Sequence, residues 1–119
     1  MSRPAIVTTE PIALPEHELL ARVFRTLGDA TRLQLLEELL DLGQATQSEL
    51  LGRVEASQSR VSEHLGCLAW CGFIAAERHG RTVTYRIIDD RAAAFVVLAR
   101  SFLDGNEVAV GCCTVLKGN

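Results

Sequence analysis

A chain of 119 residues is long enough for one domain around one core, and a hydrophobic fraction of 48% is that of an ordinary globular protein. A formal net charge of −3 excludes a globally basic nucleic-acid binder, so any contact with a polyanion has to come from a local patch. No apolar leader opens the sequence, and the longest apolar run, Ala92 to Ala99, is too short to cross a bilayer; the expectation is a cytoplasmic chain without membrane contact, whose thiols stay reduced and act as ligands or reactive groups rather than as disulfides.

Residues 1–15, with three prolines and two threonines, read as a disordered arm. A first helix follows over 16–27, where Leu20, Val23, Phe24 and Leu27 recur at helical spacing. Gly28 ends it, and Asp29 caps a second helix over about 30–41 with Leu33, Leu36, Leu39 and Leu40 as its buried stripe. Thr46 and Glu49 fit a capping box that opens a short third helix to Gly52 or Arg53. Ser57 can cap a fourth, with Val61, Leu65 and Leu68 facing the core, and Gly72 stops it. Two short helices joined by a tight turn make a helix-turn-helix. A hairpin comes next, strands 73–78 and 81–87 with His79-Gly80 at the tip, in the place of a wing. The last helix, about 90–104, is apolar nearly all round and calls for a cover beyond one small core, most simply a second copy of the chain. The expected architecture is therefore mainly α with a β-hairpin wing, a winged helix-turn-helix over 16–104 that dimerises through its first and last helices, and a flexible tail over 105–119.

The local basic patch lies in that region: residues 53 to 86 hold five arginines against three glutamates. Ser57, Gln58, Ser59, Arg60 and Ser62, small polar residues and one arginine at the start of the fourth helix, suit base edges and phosphates of double-stranded DNA. Arg78, Arg81 and Thr82 near the wing tip suit phosphate or minor-groove contact. The plainer alternative for the helix start is a solvated face.

Four cysteines form two tight pairs. Cys67 and Cys71 stand four apart on the fourth helix, hence on one face, with Cβ atoms roughly 5–6 Å apart. Cys112 and Cys113 are adjacent in the tail, where small polar neighbours give them no packing reason. Buried small hydrophobes would be the plain reading of the first pair. As ligands, sulfurs alone select soft ions such as cadmium, lead, mercury or arsenite, three sulfurs suiting lead or arsenite and four suiting cadmium or zinc. The first pair supplies only two, so the tail of this chain or of a partner has to supply the rest. Cys71 sits at the negative end of the helix dipole, and the nearest arginines in sequence are Arg60 and Arg78. Nothing local lowers a thiol pKa, which counts against a thiol-redox sensor; a bound metal would provide the missing charge. No nucleophile–base arrangement or phosphate-cradling glycine loop is present, so an enzyme and an organic cofactor are not expected.

Three stretches, Leu27-Gly-Asp-Ala-Thr-Arg-Leu33, Ser57-Gln-Ser-Arg-Val-Ser-Glu-His-Leu65 and Arg78-His-Gly-Arg-Thr-Val-Thr-Tyr85, together resemble the ArsR/SmtB family of winged-helix, metal-responsive repressors. Ala30 departs from the proline many members have, the third helix lacks a cysteine pair, and the last helix lacks the Asp/His pattern of zinc sensors. The cysteines on the fourth helix and in the tail are similar to those of the cadmium- and lead-sensing CmtR branch. The resemblance implies a homodimeric repressor that binds its operator without metal and leaves it when cadmium or lead binds Cys67, Cys71, Cys112 and Cys113, with arsenite, mercury or thiol redox as alternatives. It also places His64 in the recognition helix, among the DNA-facing residues.

Overall fold

Short polar residues set the starts of three helices, at Asp29, Thr46 and Ser57, as their side-chain oxygens accept the free amides of a first turn. The computed structural model describes residues 14–113 and 115, so the expected arm lies almost wholly outside it, as does the end of the tail. The chain divides into two compact units, one through Asp89 and one from Asp90.

In the first unit α1 (Glu16–Leu27) is followed by α2 (Ala30–Leu42), β1 (Gln44–Thr46), α3 (Gln47–Leu51), α4 (Gln58–Trp70), β2 (Ile74–His79) and β3 (Thr82–Ile87). Asp29 caps α2 by accepting from the Arg32 amide. Thr46 and Glu49 complete the capping box of α3 in both directions, and the Ser57 hydroxyl accepts from the Arg60 amide at the head of α4. At the other end of α4, Gly72 takes φ +92°, a left-handed conformation that a side chain disfavours. The Gly72 and Phe73 amides then close back on the Ala69 and Leu68 carbonyls at 3.2 and 3.0 Å, the paired bonds of a Schellman stop.

The core is built from one face each of α2, α3 and α4. Leu35, Leu36 and Leu39 of α2, Leu50 of α3, Val61, Leu65 and Leu68 of α4 and Ile74 of β2 are fully buried. The expected stripe of α2 is rotated: Leu33 and Leu40 are half-buried, and Leu35 takes the central place. The sheet has three strands in the order β1-β3-β2, all antiparallel. The hairpin appears as expected, with Gly80 in the turn at φ +66°. Strand β1 was not expected; it pairs Ala45 with Tyr85 and anchors the wing's inner end to the start of α3.

The apolar stripe of α1 is largely open to solvent. Phe24 is 64% exposed, and Leu19 and Leu20 are exposed as well, while Val23 and Leu27 are half-buried.

The second unit holds α5 (Arg91–Leu103) and α6 (Glu107–Gly111). Ala92 and Val96 of α5 are buried, whereas Val97, Leu98, Phe102 and Leu103 are exposed. Asn106 donates to the Phe102 carbonyl at 2.7 Å and ties the turn after α5. The short helix α6 lies within the segment expected as a flexible tail.

Candidate functional site

Helix α4 carries chemistry at both ends. At its N-terminal end Ser57, Gln58, Ser59, Arg60 and Ser62 are all exposed. The Ser57 and Ser59 hydroxyls lie 3.3 Å apart, and Gln47 Nε2 donates to the Gln58 carbonyl at 3.4 Å, fastening α3 to the head of α4. A hollow of about 400 Å³ joins Gln47, Ser48 and Gln58 to Arg81, Thr82 and Val83. The wing and the head of α4, separate in sequence, therefore share one polar surface that includes an arginine. Arg60 and Arg81 make no side-chain hydrogen bond or ion pair among the described residues. Arg78 is exposed on β2, and His79 Nε2 lies 3.4 Å from Glu77 Oε1.

His64 does not belong to this surface, which corrects the expectation that it faces DNA. It is 5% exposed and sits on the core side of α4. Its Nδ1 lies 3.2 Å from Arg32 Nη1. A guanidinium can only donate, so Nδ1 accepts and the neutral ring carries its proton on Nε2. That Nε2 points toward Asp29 Oδ1 at 3.8 Å and has no hydrogen-bond partner among the described residues.

At the C-terminal end of α4 stand Cys67, half-buried, and Cys71, exposed; both are free thiols. The Cys71 amide donates to the Cys67 carbonyl at 3.0 Å, and Cys71 Sγ lies 3.6 Å from Thr26 Oγ1 on α1. Burial pushes the Cys67 thiol pKa up, and the neighbouring Cys71 pushes it further; Arg32 pulls the other way without prevailing. Trp70, the one tryptophan of the chain, is 60% exposed beside Cys71.

The structure also corrects the expectation that no cation lies near these thiols. A surface hollow of about 250 Å³ is lined by Arg22, Arg25 and Thr26 of α1, Arg32 of α2 and Cys71. Arg32 holds this corner together: its Nε donates to the Thr26 carbonyl at 2.7 Å and its Nη2 to the Arg25 carbonyl at 3.3 Å. These carbonyls belong to the last turn of α1, which lacks intrahelical donors. The Asp29 carboxyl is held below its usual pKa, first by the bond from the Arg32 amide, which outweighs the opposing effect of burial, with the Arg32 charge adding to the lowering. Spacing along α1 shows that Arg22, Arg25 and Thr26 share a face, but nothing in the sequence shows that this face meets Cys71.

Cys112 caps the C-terminus of α6 and is exposed, and Cys113 is half-buried. Among the described residues no three or more His, Cys, Asp or Glu side chains converge as a metal-binding group. The donor set of α4 is thus two sulfurs on one face, which fits a soft ion and leaves further ligands to come from elsewhere.

A helix-turn-helix followed by a wing, with a polar and basic outer surface, defines a winged-helix DNA-binding regulator. The family model described as bacterial regulatory protein, arsR family, matches residues 29–76, which span α2 to the start of the wing. The probable mercury resistance operon repressor of Streptomyces lividans is 39% identical over 121 residues, covering 99% of this chain and 96% of that protein. The regulator CmtR of Mycobacterium tuberculosis is 40% identical over 74 residues, 62% of each chain. Among solved structures, M. tuberculosis Rv0081 superposes with a TM-score of 0.73 at 30% identity, covering 84% of this chain and 100% of that one. The chain belongs to the arsR family of bacterial regulatory proteins. It is a transcriptional repressor of that family, whose members are regulators rather than enzymes. No helix among the described residues is long and apolar enough to cross a membrane.

Proposed function

We propose that the protein is a cytoplasmic homodimeric repressor that holds operator DNA with the head of α4 and the wing, and releases it when Cys67 and Cys71 take up a soft thiophilic metal ion. The observation that carries this reading is the placement of the thiol pair on the same helix as the DNA-facing residues, at its opposite end. Gln58, Ser59 and Arg60 read the groove; Arg81 and Thr82 flank it and meet phosphates. Cys112, Cys113 or both complete the ligand set, from the same chain or its partner. Metal taken up by Cys71 draws that thiol away from Thr26, and so alters how the C-terminal end of α4 is seated against α1. A coupling of about 1–3 kcal/mol between metal and DNA suffices for regulation.

Mercury(II) is the first choice of ion. The Streptomyces lividans relative, described as a probable mercury resistance operon repressor, is similar over 99% of this chain. Cadmium or lead is the second choice, supported by the similarity to CmtR over a shorter stretch. The test is operator binding by fluorescence anisotropy under reducing conditions, titrated with mercury(II), cadmium, lead, arsenite and zinc. Mercury(II) should release the DNA at the lowest concentration. Cys67→Ser and Cys71→Ser should bind DNA as before and ignore the metal. Operator binding that no ion alters would refute the metal reading, and release by peroxide alone would replace it with a thiol-redox switch.

A further inference from the structure

Resting on the metal reading above, we infer that the arginine-lined hollow beside Cys71 docks the metal in the form in which cells carry it, as an anionic complex with small carboxylate-bearing thiols, and hands it to Cys71 by thiol exchange. Three observations support this. The hollow places Arg22, Arg25 and Arg32 around one exposed thiol. The roles of the arginines differ: Arg32 is engaged by two carbonyls and His64, whereas Arg22 and Arg25 make no side-chain hydrogen bond or ion pair among the described residues. A guanidinium fork matches a carboxylate, and two uncommitted ones at the rim of a hollow leave that capacity to a ligand. Finally, the second thiol, Cys67, stands one turn back along α4 and is less accessible. That order suits a relay in which the exposed thiol reacts first.

The exchange balances without an oxidant. A complex RS–Hg–SR docks by its carboxylates. The Cys71 sulfur forms one bond to mercury as one RS–Hg bond breaks, and the Cys71 proton leaves on the departing RSH. Cys67 repeats the step and releases the second RSH. Mercury remains divalent throughout.

The experiment follows the transfer of mercury to the protein by rapid quench and mass spectrometry, with the full chain and three donors: mercury(II) bis-glutathione, which is anionic, mercury(II) bis-(2-mercaptoethanol), which is neutral, and mercury(II) chloride. Focused positive charge raises association rates by roughly 10- to 1,000-fold and fades with salt. Wild type should therefore take mercury from the glutathione complex at least about tenfold faster than an Arg22→Gln/Arg25→Gln variant does at low ionic strength, and the advantage should shrink as salt rises. The neutral donor should react equally fast with both proteins, which also shows that the variant is folded. Equal rates for wild type and variant with the glutathione complex would overturn the docking role and leave the metal reading standing. Absence of mercury on the protein with every donor, mercury(II) chloride included, would overturn both.

Discussion

The Arg32 side chain makes three connections. It joins the end of α1, the start of α2 and the buried ring of His64, while its own amide is capped by Asp29. The cap was legible in the sequence, because an aspartate after a glycine at a helix boundary has few other uses. The rest of the network was not, since it depends on contacts between residues 6, 7 and 32 positions apart. For the same reason His64 reads as a surface residue from its neighbours in sequence and is buried in the fold. The Asp29 carboxyl has a folded pKa below its unfolded one. The stability it adds is therefore complete above the unfolded value, about 3.9, and is lost as pH falls through the lower folded value. Asp29→Asn keeps a capping oxygen without the charge. Urea denaturation from pH 7 to pH 2 should show wild type more stable at neutral pH, with the difference closing below about pH 4.

Helix α4 divides its tasks along its length, and substitutions at its two ends should have separate effects. Arg60→Ala should weaken operator binding by about 1–3 kcal/mol and leave metal uptake intact. Arg81→Ala should weaken binding evenly across sequences and lower the slope of log K against log salt by about 1, as expected for one lost phosphate contact. Both are read by anisotropy titration at several salt concentrations. Between the ends lies Gly66, where an added Cβ would meet nothing within 4 Å. Gly66→Ala should stabilise the metal-free protein by about 1 kcal/mol through helix propensity, measured by urea denaturation. Metal affinity that falls in the same variant would show that something closes over this position once the ion is bound. The helices were legible because their caps are local, as with Thr46 and Glu49 or Ser57. Strand β1 was not: three residues carry no alternation to read, and Gln44–Thr46 becomes a strand only because Thr84 to Arg86 lie opposite.

Across the whole molecule, large apolar side chains are exposed on both units: Leu20 and Phe24 on α1, Leu98 and Phe102 on α5. The sequence pointed to the first and last helices as dimer surfaces; the exposure of the α1 stripe is visible only in the fold. A dimer built on these surfaces should scatter light as two chains of 13.0 kDa. Phe24→Glu/Phe102→Glu should give a monomer with little operator affinity, because two half-sites about one helical turn apart need two linked recognition helices. The position of Trp70 has a practical consequence. It is the chain's sole indole, open to water and directly before Cys71 in the sequence. A heavy ion beside an excited indole hastens its return to the ground state without emission. Mercury uptake at Cys71 should therefore dim the intrinsic fluorescence, Cys71→Ser should remain bright, and occupancy of the sensor can be followed without any label.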